Sequence, residues 1–381
     1  MTAAALPVEM LKAIVEDVPA EDLLPVRAAA KTLNKLATPH AFRVLRAKTT
    51  LESVQKLAEA LGTPDVAKHV KEIVIRDVEA KAGVDLFAPE KEPKSADEAE
   101  EEAQDEPEED QEGLREALTS AIALFHTLPS LETVNVTFPP NFEDDEDADP
   151  RQLQTTILES LTAHPLELKS LSLANVATGP SELYAKPEFE ALLKPLTELR
   201  ISTISDQEQG GWYDEEPCIE FWQMMQTRLL TLPENLTSLA LHSDIEIGWF
   251  PEFRFAELNY PKLASLSLKN VVFNEEVGIE DFIVRHKETL TRLDLQRCPV
   301  VLPDEGEERH WSQIYQRLGS ELTNLKHIDI QNENGDRTLK YAMLDAGVGF
   351  QYVTMDDDGR VEEDNAAEDE FVKEVRSRTD A

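Results

Sequence analysis

The chain has 381 residues, 41% of them hydrophobic, which is enough for packed cores and too apolar for disorder throughout. With 37 Lys and Arg against 76 Asp and Glu, its formal charge of -39 argues against nucleic-acid binding, because like charge repels phosphate. Cys218 and Cys298 are too few to frame a disulfide scaffold. No apolar run approaches the ~18 residues of a membrane span, and MTAAALPVEM lacks the basic start of a signal peptide, so the expectation is a soluble protein of the cytoplasm or nucleus.

Taken from the amino terminus, Pro7 suits the start of a helix that carries Leu11, Ile14, Val15 and Val18 as one stripe and stops at Pro19. A second helix is expected from about residues 21–25, with Val26, Ala30, Leu33, Leu36 and Ala37 at intervals of three and four. Thr38-Pro39 reads as the cap and first position of a third, HAFRVLRA, with Phe42 and Leu45 inward. Helices of about ten residues do not persist alone, and some 45 residues without metal ligands or paired cysteines is near the size that needs outside support. The apolar stripe must therefore be covered, either by the first repeat or by a second protein.

From residue 70 onward one spacing recurs: an apolar residue, a second three positions on, and a third two further. Leu168-Leu171-Leu173, Leu263-Leu266-Leu268 and Leu290-Leu293-Leu295 are its clearest copies. Looser ones are Leu131-Val134-Val136, Leu196-Leu199-Ile201, Leu236-Leu239-Leu241 and Leu325-Ile328-Ile330, with Val70-Ile73-Ile75 as a candidate first copy. Alternation at the last two positions puts both side chains on one face of a short strand. From Leu236 through Leu290 the period is about 27 residues, inside the range of leucine-rich repeats, and Asn175, Asn270 and Cys298 fall near the place where such repeats carry Asn or Cys.

Between the strands lie helical faces. Leu114, Leu118, Ala121, Ile122, Phe125 and Leu128 make one, and Leu153, Ile157 and Leu161 a second. Ile279, Phe282, Ile283 and His286 follow, then Trp311, Ile314, Tyr315, Leu318 and Leu322. Strand and helix in steady alternation predict a solenoid with parallel strands inside and helices outside, the alternative being an ordinary α/β domain with leucine-rich strands. Residues 88–113, 143–149 and 356–381 hold about 30 of the 76 acids. The first of these blocks reads as a disordered insertion, since it has too little apolar surface to offset the entropy of ordering.

Residues 6–45, LPVEMLKAIVEDVPAEDLLPVRAAAKTLNKLATPHAFRVL, resemble an F-box of the kind found in fungal F-box proteins with leucine-rich repeats. Leu6-Pro7, Glu9, Leu11, Ile14, Asp22-Leu23-Leu24, the Lys31 to Leu36 segment and Leu36-Ala37-Thr38-Pro39 ahead of Phe42 carry the resemblance. Ala29-Ala30-Lys31 and Leu33 depart from the family, which has a bulkier segment there and often a Trp. The resemblance implies an α/β protein with a short all-helical amino terminus (1–48), an irregular leucine-rich-repeat solenoid (49–355) and an acidic carboxyl-terminal tail (356–381). In that family the helices dock on the Skp adaptor of a cullin ubiquitin ligase, here through Leu6, Pro7, Leu11, Ile14, Leu23, Leu24 and Leu36, and the repeats hold the substrate. Lys12, Arg27, Lys31, Lys35, Arg43, Arg46 and Lys48 make this region slightly basic, which suits an acidic partner. The competing reading of these helices is a plain cap on the end of the repeat array.

No motif points to catalysis. Gly210-Gly211 is a bare pair rather than a phosphate loop, the eight histidines have no metal-ligand spacing, and Asp145, Asp147 and Asp149 lack the Gly and Glu of a calcium loop. The expectation is a binding protein with no cofactor and no metal. On the strand face opposite the leucines, small residues sit in the middle repeats, and Lys269, Arg292, Asp294 and His327 are the candidate recognition residues. Trp212 and Tyr213, in the loop DQEQGGWYDEEP, are candidate aromatic anchors. Two functions compete. One is the substrate receptor of a ubiquitin ligase. The other is an acidic leucine-rich scaffold or chaperone-like binder of basic proteins such as histones.

Overall fold

The computed structural model describes residues 6–78, 87, 111–140, 149–205, 215–302, 308–331, 341–345, 349–353 and 360–379. Trp212, Tyr213, Asp145, Asp147, Gly210-Gly211 and nearly all of the acidic insertion fall outside them.

Three helices open the chain: α1 (Val8–Glu16), α2 (Leu23–Ala29) and α3 (Lys31–Ala41). Pro7 stands just outside α1, as its N-cap. The second expected helix is two, because Ala30 is fully extended (φ -159°, ψ 152°) and breaks the run between α2 and α3. The third expected helix is absent. Pro39 sits within the last turn of α3, and Val44–Lys48 form strand β1, which pairs in parallel with β2 (Glu72–Arg76). The amino terminus is thus not a separate all-helical unit, since α3 leads into the main sheet within three residues.

After β1 come α4 (Leu51–Leu61), capped by the Thr50 hydroxyl, which accepts from the Ser53 N–H, and the short α5 (Pro64–Ala67). Beyond β2 follow α6 (Gln111–Ile122), β3 (Thr133–Thr137), α7 (Asp149–Thr162), β4 (Ser170–Ala177), α8 (Pro187–Leu193) and β5 (Glu198–Ile204). Next are α9 (Glu216–Met224), β6 (Ser238–Ile247), β7 (Ser265–Val271), α10 (Ile279–Arg285), β8 (Arg292–Gln296), β9 (Val300–Val301), α11 (Trp311–Glu321) and β10 (His327–Gln331). The chain closes with β11 (Tyr341–Asp345), β12 (Gly349–Val353) and α12 (Arg360–Thr379). Helix α6 starts at Gln111, so the last residues assigned to the insertion belong to its first turn.

The fold is α/β, built on a nine-stranded sheet whose order, β1-β2-β3-β4-β5-β6-β7-β8-β10, follows the chain. Its pairs are all parallel and between strands consecutive in the chain, except that β8 pairs with β10 while β9 joins β11 and β12 in a second sheet. All eight copies of the apolar spacing fall on these strands or the turns leading into them. The pairing is in register: one row runs from Leu45 through Leu171 and Leu239 to Ile328, and a second from Ala47 through Leu173 and Leu241 to Ile330. These rows join the helical faces in one continuous core, where Ile157, Phe282, Ile283 and Leu318 are fully buried. A one-residue slip in any strand would turn its leucines outward, which is why the register holds across the array.

Asn175 and Asn270 leave their strands in the left-handed region, at φ 59° and 56°. Asn is the side chain best suited there after Gly. Its amide also reaches the preceding repeat: Asn270 Nδ2 donates to the Ser243 carbonyl at 2.7 Å and Asn175 Nδ2 to the Phe138 carbonyl at 3.1 Å.

The carboxyl-terminal segment expected as an acidic tail is largely helix α12, packed on α11 through the buried Phe371 and Val375. Asp364 Oδ1 accepts the Ser312 N–H at 2.7 Å, and the Arg378 guanidinium donates to the Leu322 and Gly319 carbonyls, so α12 caps both ends of α11. Gly319 permits the approach: a Cβ there would lie 3.2 Å from Glu374 Oε2. Acidic composition hid an apolar stripe just sufficient to dock the last element. No described helix is long and apolar enough to cross a membrane.

Candidate interaction surfaces

Parallel pairing in register writes the open face of the sheet, opposite the leucines, as three further rows. The first holds Ser170, Glu198, Ser238, Ser265, Arg292 and His327 on the strands from β4 onward. The second holds Ser172, Arg200, Ala240, Ser267, Asp294 and Asp329. His242, Lys269, Gln296 and Gln331 lie in the third.

Three of the four candidate recognition residues on this face form one cluster. Arg292 Nε donates to Asp294 Oδ2 at 2.8 Å, and His327 Nε2 lies 3.4 Å from Asp294 Oδ1. Asp294 is nearly covered, while Arg292 and His327 stay half exposed, so the guanidinium and the imidazole keep their outer edges open to a partner. Asp329 adjoins them, and burial first, then the Asp294 carboxylate, push its pKa up. Lys269 stands apart, on β7 in register with Gln296.

A second feature of the open face was not foreseen. Phe87 lies on it, only 7% exposed, in a small apolar cluster with Ala174 and Ala240 that is separate from the main core. The Arg200 guanidinium covers its ring at 4.3 Å from the centroid, and the His242 ring tilts against it at 5.2 Å. His242 Nε2 is fixed in turn by Ser267 Oγ at 2.8 Å. The small side chains expected in the middle repeats are the floor of this seat. The only local signal for Phe87 itself is an apolar Leu86-Phe87 pair at the edge of the acidic run.

The amino-terminal helices carry the second surface. Their own core is small: Val15, Leu23 and Ala37 are buried, with Val18, Val26, Leu33 and Leu36 packed around them. Arg27 ties α2 to α3, with Nε donating to Thr38 Oγ1 at 2.9 Å and the guanidinium over the Phe42 ring. Of the expected docking residues, Leu6, Pro7, Ile14 and Leu24 are exposed. Leu11 and Leu36 are half-buried and Leu23 is enclosed in the local core, so those three do not form the outer surface. Met10 and Val8, both absent from the expected set, are about as exposed as Ile14. Met10 and Ile14 stand one helical turn apart on α1.

A cleft of about 860 Å³ opens on the helical side near Arg151, Gln154 and Tyr184. Two of its polar groups serve the backbone: Gln154 Oε1 accepts the Ala177 N–H and Arg151 Nη2 donates to the Pro180 carbonyl. Burial pushes both cysteine thiols up to about 12, so Cys218 and Cys298 are un-ionised at neutral pH. Among the described residues, no three or more His, Cys, Asp or Glu side chains are grouped to hold a metal ion.

No family model and no curated protein matches this chain. It is similar to a solved structure described as "Crystal structure of Rad7 and Elc1 complex in yeast", at 14% identity over 88% of this chain and 92% of that one. The TM-score is 0.33, too low to equate the two folds.

Proposed function

We propose that this protein is a non-catalytic, substrate-recognition subunit of a Skp–cullin–F-box ubiquitin ligase. The amino-terminal helices dock on the Skp adaptor, and the open face of a leucine-rich-repeat sheet holds the target protein. The observation that carries the reading is an exposed apolar ridge on α1, Met10 and Ile14, with Leu6 and Leu24 also about half exposed, in a segment whose own core is three buried residues. Full burial of a large apolar side chain is worth about 1.5–3 kcal/mol, so covering the exposed halves of four contributes on the order of 4 kcal/mol to docking. Further support comes from the basic residues of this region in a chain of charge -39, and from the in-register apolar rows with Asn at the repeat turns.

The test is co-purification with a recombinant Skp adaptor. Met10→Asp with Ile14→Asp places two charges on the ridge and leaves the local core of Val15, Leu23 and Ala37 intact, so the variant folds and loses the adaptor. Arg292→Ala, on the open face, keeps it. Association that survives the double substitution would refute the docking ridge. Absence of adaptor binding, together with salt-sensitive binding of histones, would replace this reading with that of an acidic binder of basic proteins.

A further inference from the structure

The seat under Phe87 names the chemistry of the target side. We infer that the open face recognises a partner protein through a phenylalanine or tyrosine set beside acidic residues, and that the chain's own Phe87 occupies that place until the partner displaces it. The inference rests on the reading of the open face as the target surface.

From β4 onward the open-face rows are otherwise polar, and a solvated strand position has no need of an apolar floor. Here two alanines, Ala174 and Ala240, are 3% and 5% exposed and leave the depth of a ring above them. Arg200 and His242 wall that depth with a guanidinium and an imidazole, groups that favour the face of an aromatic ring over an aliphatic side chain. Lys269 follows His242 in the same row. The seat thus has the Arg200 guanidinium at one side and an apolar base, in a protein of charge -39. A side chain of matching chemistry fills it: Phe87 lies in VDLFAPE, between Asp85 and Glu90. Because Phe87 sits outside the main core, the repeats do not need it to fold. An aromatic on the same chain is a competitor at high effective concentration, and it lowers the apparent affinity of a partner by the fraction of time the seat is filled.

The experiment uses the full chain and a fluorescent peptide, AGVDLFAPE, copied from residues 82–90. Anisotropy titration of wild type and of Phe87→Ser compares filled and vacated seats. The expected result is binding to Phe87→Ser at least about tenfold tighter than to wild type, as for a seat at least ~90% filled. Adding Ala240→Leu to Phe87→Ser, which fills the floor, abolishes it, as does Phe→Ser in the peptide. Circular dichroism confirms the fold of each variant. If Phe87→Ser does not fold, Phe87→Leu, which keeps an apolar contact and loses the ring under Arg200, is expected to bind the peptide more tightly than wild type. Equal affinity for wild type and the vacated seat, or binding indifferent to Ala240→Leu, would overturn the inference. The ligase reading is decided separately, by adaptor co-purification on the ridge variants. Lost peptide binding with adaptor association intact sinks the aromatic seat alone, and the converse sinks the ligase reading alone.

Discussion

Asn270 ties conformation and hydrogen bonding together at one buried position, and its replacement separates them. The residue is fully covered, sits at φ 56°, and donates Nδ2 to the Ser243 carbonyl at 2.7 Å, where the β6–β7 register shifts. Asn270→Gly removes the amide and leaves a buried carbonyl without its donor, which costs about 2 kcal/mol, while glycine accepts the left-handed backbone freely. Asn270→Ala loses the same bond and also holds an L side chain at positive φ, for a further ~1 kcal/mol and a total of about 3. Asn270→Asp keeps the backbone tolerance but turns a carboxylate toward a carbonyl in a dry site, and is expected to be the worst of the three. Equilibrium urea denaturation followed by far-ultraviolet circular dichroism, with unchanged m values, measures the series. Alanine no worse than glycine would refute the conformational part of the argument. Losses below about 0.5 kcal/mol for both would refute the hydrogen-bond part.

Two other perturbations follow from the same packing. His286 Nδ1 donates to the Phe282 carbonyl and Nε2 accepts the Tyr260 N–H, so the buried ring is neutral, and burial, the largest influence, lowers its pKa below 6.5. The unfolded chain takes up this proton before the folded one does. The His286 contribution is therefore complete above pH 6.5 and is lost as pH falls below it, and His286→Leu, although less stable at neutral pH, should show a flatter decline to about pH 5 in thermal melts. Asp364→Ala removes the carboxylate that accepts both the Ser312 N–H and the Tyr341 hydroxyl, and should cost about 2–3 kcal/mol and expose α12 to limited proteolysis ahead of the rest of the chain.

The repeat was legible because three constraints coincide at every copy: a strand alternation, an apolar residue in the turn before it, and a helix of matching face after it. Leu266 and Leu268 could not occupy any other element without exposing one or both. The first repeat hid because its evidence is ambiguous at short range. Phe42 and Leu45, three apart, satisfy a helix as well as the repeat spacing, and only Ala47, two further on, separates the two. Alanine is a weak marker of either. Pro39 misled in the same way, since a proline that suits a helix start lies here in the last turn of α3. Helix α12 was hidden by charge: Phe371 and Val375, four apart, are its apolar contacts with α11, in a segment whose carboxylates dominate any composition window.

The two surfaces were legible to different depths for a physical reason. Which residues face outward on a strand is local, so Arg292, Asp294 and His327 could be placed on one face from alternation alone, and register then brings them together. Which outward residue is covered is not local. Leu23 and Leu24 are adjacent and equally apolar, yet one closes the small core of the opening helices and the other is 54% exposed, because the step of about 100° around α2 turns them to different neighbours. Phe87 is the extreme case, lying more than 80 residues before Ala174 and joined to it by no periodicity. Its contact follows from what the sheet lacks: two alanines where neighbouring rows carry larger or charged groups leave a hollow that water fills poorly and an aromatic ring fills well. A repeat array can keep its leucine rows constant and still create one specific site by shrinking two side chains on the opposite face. In this chain that economy puts the aromatic seat on the open face while the same strands hold the core.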